Sequence, residues 1–203
     1  MTSERKRAVG SRGVQETPTL AEALESLPEP TRPLKPLAPA FIPPGLWRSG
    51  ADRSLLASAG WRRTRERILE RDGHRCVYCD HHQGRGLEVN HISGNSRDDR
   101  EHNLETVCAL CHRVLHAGRS AAIYGSLLLF EQANVDQNTL QRLCWQFRSG
   151  PIRLPDRLLM ALLGLAGPRP FRMDADDLAG LRGYVVERYY LLERRARPAP
   201  QRG

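Results

Sequence analysis

Two short stretches decide how this chain is read: Arg71-Asp72-Gly73-His74-Arg75-Cys76-Val77-Tyr78-Cys79 and Cys108-Ala109-Leu110-Cys111-His112. Each carries a Cys-x-x-Cys knuckle, which aims two thiolates at one point. Two knuckles complete a closed, tetrahedral site for zinc, so Cys76, Cys79, Cys108 and Cys111 are predicted to hold one structural Zn2+. In a cell-interior protein this pattern reads as metal binding rather than as a disulfide framework. The fifth cysteine, Cys144, falls on the apolar face Leu140, Leu143, Cys144, Phe147 and is expected to be a core thiol.

The spacing between the knuckles carries the next clue. A plain zinc ribbon separates them by about 15–20 residues. Here 28 residues intervene, and they contain His91 and Asn103. His112 and His116 follow directly, one helical turn apart, a spacing that lets two imidazoles share one metal ion. A structural zinc site needs none of these four residues. Between the knuckles, Leu87-Glu88-Val89-Asn90-His91-Ile92 alternates like a strand, Gly94-Asn95-Ser96 reads as a turn, and Arg97 to His102 reads as a polar loop. Cys111 to Ala117 is predicted helical, stopping at Gly118.

Outside this segment the reading is coarser. The chain has 203 residues, with 31 Lys+Arg against 23 Asp+Glu and a formal net charge of +8. Its 40% hydrophobic and 27% charged content fits a globular core and excludes collagen-like or fully disordered chains. No apolar run approaches the ~18 residues of a membrane span, and no apolar segment follows the N-terminal basic residues. A soluble, cytoplasmic protein is therefore expected. Arginine supplies 29 of the 31 basic residues; codon bias explains that as well as phosphate recognition does.

Residues 1–50 are rich in Pro and Arg and are expected to form an extended or disordered arm, with a short amphipathic helix within 19–27. A helix is predicted over Ser58 to Arg71, capped by Ser58, ended by Asp72-Gly73, with Trp61, Ile68 and Leu69 facing a core. Its other side carries Arg63, Arg67 and Arg71 as a stripe that suits a polyanion or serves only as a solvated face. Together with Arg75, Arg113 and Arg119 these are the candidate nucleic-acid contacts. Residues 120–203 read as helical, with helices over Asp136 to Phe147, Pro155 to Ala166 and Asp174 to Arg195, a break at Gly167-Pro168, and an ambiguous stretch over 120–133. The fold class expected is α+β. His74, His81, His82 and His102 lie in turns or loops and are expected to be exposed.

In their order and spacing, Trp61 to Arg71, the first knuckle, Leu87 to Ile92, Asn103-Leu104 and Cys108 to His112 resemble the HNH endonuclease family, whose fold is the ββα-metal (His-Me) finger. The resemblance covers residues 58–119, and the module is placed at 54–119. It implies that His91, Asn103 and His112 are the catalytic H, N and H, that His116 joins His112 on a catalytic divalent ion as in the colicin nucleases, and that DNA is cut to leave a 5′-phosphate. The residue types agree with that chemistry. An imidazole with a pKa near 6.5 can take the proton of an attacking water, as His91 is expected to do. A divalent ion such as Mg2+ or Mn2+ on His112 and His116 would act as Lewis acid. Asn103 is expected either to ligate the ion or to hold the His91 ring. One position departs from the family pattern: Asn90 stands where Asp or His is usual, and Asp98 or Asp99 is a candidate for an extra oxygen. Double-stranded DNA is the expected partner, with RNA left open. The rival readings are a non-catalytic zinc-finger binder of nucleic acid and an adaptor with a purely structural zinc.

Overall fold

The computed structural model describes residues 16–46, 57–82, 86–171 and 178–186. Helix and sheet are mixed throughout. Helix α1 (Leu20–Glu25) opens on a capping box, in which the Thr19 side chain and Glu22 satisfy each other's backbone donors. Residues 28–43 then run without helix or strand, as the prolines require, into a 3-10 turn over Pro44–Leu46. They are not a loose arm, since the strap is stitched to the rest of the chain. Lys35 N donates to Val77 O at 3.0 Å, Ala40 N to Val114 O at 3.1 Å, and Ala117 N to Ala40 O at 3.0 Å. Leu37 is buried, and its N–H reaches Asn138 Oδ1. The expectation of a disordered arm is corrected for residues 16–46, while residues 1–15 and 47–50 lie outside the described residues. Proline restricts the strap's backbone before folding, so packing it costs less conformational entropy than packing a flexible segment.

Helix α2 (Ala59–Arg71) begins at Ser58, whose hydroxyl accepts from Trp61 N, and ends at Asp72. Ile68 and Leu69 face the core. Strands β1 (Leu87–His91) and β2 (Leu104–Cys108) pair antiparallel, with Asn90 opposite Glu105 and His91 opposite Leu104. Helix α3 (Ala109–Leu115) follows β2 without a loop, because Cys108 is both the last strand residue and the N-cap. The helix stops earlier than predicted, at Leu115 with His116 as its C-cap; Gly118 itself has helical φ and ψ and leads into a π-helical turn over Arg119–Ile123.

The C-terminal half is where the sequence reading needs most correction. A three-stranded antiparallel sheet in the order β4-β3-β5 joins β3 (Leu127–Gln132), β4 (Ala166–Arg169) and β5 (Arg182–Val185). Residues 120–133 therefore resolve into a helical turn and a strand. Helix α4 (Gln137–Ser149) matches its prediction, with Asp136 as cap. Helix α5 (Asp156–Leu162) ends before Gly164, whose positive φ stops it, and Ala166 already belongs to β4. Gly167-Pro168 lies inside β4, an edge strand, where proline is tolerated because no neighbour needs its missing N–H. Of the predicted helix over 174–195, the described part, 178–186, contains strand β5. One continuous core spans both sheets, from Val77 and Val107 through Leu140 and Leu143 to Tyr184 and Val185. Cys144 is part of it, and burial pushes its thiol up to about 11. No helix among the described residues is long and apolar enough to cross a membrane.

Candidate functional site

The four knuckle cysteines come together as predicted. Cys76, Cys79, Cys108 and Cys111 are all buried, and their sulfurs lie within 4.8 Å of one another. Among the described residues this is the only group of three or more His, Cys, Asp or Glu side chains gathered so tightly. The first knuckle is shaped by backbone bonds from Cys76 N to His81 O and from Asp80 N to Cys76 O, with Asp80 at φ +60°. On the other side, Cys108 Sγ accepts from Cys111 N at 3.4 Å and from the Trp145 indole N–H at 3.1 Å. Burial raises the Cys79 and Cys111 thiols, whereas Cys76, against the same burial, is held below its ordinary value by hydrogen bonds from the neighbouring cysteines. Four soft donors in a dry, closed shell fit zinc, and the group could hold one ion. His81 departs from its expected exposure: it stacks flat on Trp145, with ring centroids 3.6 Å apart, and burial pushes it down to about 4.

A second set of chemistry-bearing residues lines a separate cleft of about 400 Å3 between α2, β1 and α3. Asn90 and His91 come from the end of β1, His112 comes from α3, and His116 is the residue that caps its C-terminus. His91 is buried, its ring lying parallel to the Trp61 indole at a centroid distance of 5.7 Å and its Nε2 placed 2.8 Å from Asp99 Oδ1. The His112 and His116 imidazoles meet edge to face at 4.7 Å. His112 Nδ1 pairs with Glu88 Oε2, and His116 Nε2 lies 3.3 Å from Asn90 Oδ1. Burial, and next the neighbouring His112, push His116 down to about 3, so it is neutral at physiological pH and keeps a lone pair for a Lewis acid. Two imidazoles, an amide oxygen and a nearby carboxylate make a donor set that fits a hard or borderline divalent cation.

Asn103 is placed differently from either expectation. It is buried; its Oδ1 accepts from Ser93 N and its Nδ2 donates to Asp98 O, both at 2.9 Å. Both ends of the amide are thus spent on the loop between β1 and β2, and none is directed at the His91 ring. Asp98 forms an ion pair with Arg100 at 2.6 Å, and Arg100 holds its carboxyl down to about 2. Asp99, not Asp98, is the loop carboxylate that reaches the cleft histidine.

The candidate nucleic-acid arginines are distributed unevenly. Arg119 lines the cleft and bonds the Tyr124 hydroxyl. Arg63, Arg67 and Arg71 lie on the exposed side of α2, outside the cleft lining. Arg67 pairs with Glu101 at 2.9 Å, and Arg71 is tied to the Asp72 carboxylate and to the carbonyls of Glu101 and Leu104. Arg75 pairs with Asp80 beside the first knuckle, and Arg113 donates to Ala109 O on its own helix.

Sequence reasoning missed two residues that line the cleft, Arg65 and Glu88, and two partnerships just behind it. Arg65 lines the cleft one helical turn from Trp61 and donates to Leu87 O; the i, i+4 relation to Trp61 was the available signal. Glu88 shares a face of β1 with Asn90, two residues away, and that period was equally legible. Asp99 as a partner of His91, and Glu105 as a partner of Asn90, required the strand register. No protein-family model matches this chain, and no curated protein matches it either.

Proposed function

We propose that this protein is a metal-dependent endonuclease of the HNH type that hydrolyses DNA phosphodiester bonds, with His91 as general base. The observation that carries the reading is a single cleft in which a buried, clamped imidazole faces two more imidazoles and an amide oxygen. The hairpin β1-β2 and helix α3, in that order, support it, since they carry the residues on which the family resemblance rests.

The side chains divide the work. A water held in the cleft would lose its proton to His91. The Asp99 carboxylate on the other side of the ring stabilises the imidazolium that forms and fixes the tautomer. Trp61 holds the ring plane, and Asn103 holds the loop that carries Asp99. Asn90, His112 and His116 would hold a divalent ion such as Mg2+ or Mn2+, which when bound supplies Lewis-acid polarisation of the scissile phosphate. Arg65 and Arg119, both lining the cleft, bring positive charge to an incoming phosphate. The structural zinc fixes β2 and α3 against the first knuckle, so His112 inherits a rigid base from its neighbour Cys111.

The test is cleavage of supercoiled plasmid by the zinc-loaded chain in Mg2+, Mn2+, Ni2+ or EDTA, with a structured RNA run in parallel. Cutting in at least one metal and none in EDTA supports the reading. Retention of DNA without cutting in any metal favours the non-catalytic zinc-finger alternative.

A further inference from the structure

The metal-ligand position at the end of β1 is an amide, and an amide has two chemically opposite ends. Oδ1 can face a cation; Nδ2 carries two N–H donors and repels one. What decides which end enters the cleft lies on the opposite strand. Glu105 is directly across from Asn90 in the β1-β2 register, and at 1% exposure it is the most deeply buried carboxylate among the described residues. Three donors satisfy it. Asn90 Nδ2 at 3.0 Å and the Tyr78 hydroxyl at 2.8 Å share Oε1, and Lys35 Nζ reaches Oε2 at 2.8 Å.

We infer that Glu105 is the positioning residue of the catalytic metal site: its carboxylate captures Nδ2 of Asn90 and so presents Oδ1 to the cleft, with Lys35 of the proline strap balancing the buried charge. This rests on the function proposed above and explains how a neutral amide serves where a carboxylate or imidazole is usual. Isolated buried carboxylates are costly, and the described sequence has only one lysine near enough to answer this one. The strap thus reaches the metal site through two side chains, although it lies outside the segment that resembles the nuclease family.

The pairing also changes what a repair of position 90 must look like. Asn90→Asp alone sets two carboxylates against each other where Nδ2 now donates, with no proton donor between them. Combined with Glu105→Gln, the donor and acceptor roles are exchanged: the glutamine N–H faces the new carboxylate, and the aspartate faces the cleft. The pair therefore behaves as a unit, and the two substitutions are non-additive.

The experiment is a titration of the zinc-loaded full chain with Mn2+, following the free-ion electron paramagnetic resonance signal, with a thermal melt of each variant. Glu105→Met removes the acceptor at similar volume and is expected to weaken Mn2+ binding about 10- to 100-fold. Glu105→Gln, whose carbonyl can still accept from Asn90, is expected to bind close to wild type. Asn90→Asp is expected to melt lower and bind more weakly than the double variant Asn90→Asp/Glu105→Gln. A folded Glu105→Met that binds Mn2+ like wild type overturns this inference alone. If Glu105→Met does not fold, equal Mn2+ affinities for Asn90→Asp and the double variant overturn it instead. Wild-type protein that binds no Mn2+ overturns the metal site itself, and this inference with it.

Discussion

The four-cysteine cluster and the histidine cleft draw on the same hairpin and helix, yet they are finished in opposite ways. Helix α3 contributes Cys111 to one and His112 to the other, adjacent residues with the thiol fully buried and the imidazole 27% exposed. In the cluster every donor points inward, the shell is dry, and backbone and indole N–H groups already face the sulfurs. In the cleft the donors pair with one another, His112 with Glu88 and His116 with Asn90, around a volume open to a ligand. A closed donor set stabilises a fold; an open one leaves room for substrate. The two regions should therefore fail differently when they are perturbed.

The largest effect is expected at the cluster. Cys108→Ser removes one of the four thiols that could hold zinc, the one that also caps α3 and accepts the Trp145 N–H. Structural zinc contributes on the order of 10 kcal/mol in small finger peptides, so the variant should lose zinc and its cooperative melt together, read by metal analysis and circular dichroism. A smaller loss is expected one layer out. Trp145→Phe keeps the ring but deletes its N–H, and should lower zinc affinity about 10- to 100-fold in a chelator competition without unfolding the chain. If zinc affinity is unchanged, the indole packs on the cluster without tuning it.

Two arginines of helix α2 differ in the same way. Arg71 is spent inside the molecule, on Asp72 and two carbonyls. Arg71→Gln should therefore cost about 1 kcal/mol of stability, discounted because the side chain is 41% exposed. Arg63→Gln should leave the melt unchanged; if Arg63 meets a phosphate it should reduce the salt slope of DNA binding by about 0.9. Equal slopes for wild type and Arg63→Gln would make that face solvated and nothing more.

Local pattern made half of this molecule legible. The knuckles, the strand over 87–91, the Ser58 cap and the Asp136 cap are signals carried within a few residues, and each appears where expected. Strand β5 was not legible, because Leu178, Leu181 and Val185 happen to fall at helical spacing. Its actual partner, β3, lies more than fifty residues upstream, and Gly183 lets β3 and α3 pack closely on it, a Cβ there meeting Leu127 and Val114 at 3.2 and 3.3 Å. The strap escaped for a related reason: proline content reports that a segment cannot be helical, not what it packs against. In the cleft, residue type was enough to pick His91, His112 and His116, but Glu88 and Glu105 read as the polar half of ordinary strands. Asn103 differs again: sequence reasoning placed its amide on the metal or on the His91 ring, and the structure spends it on the loop backbone.

If the cleft performs the chemistry and the cluster only holds the fold, His91→Ala should separate the two. The variant and wild type should be compared for plasmid cleavage in the best metal, with zinc content and DNA affinity measured on the same samples. Zinc and affinity should stay near wild type, because His91 belongs to neither the sulfur shell nor the arginine set. Cleavage should fall about 100- to 10,000-fold, the usual contribution of a general base, and excess Mn2+ should not restore it. A His91→Ala protein that cuts at the wild-type rate would mean that His91 is not the general base.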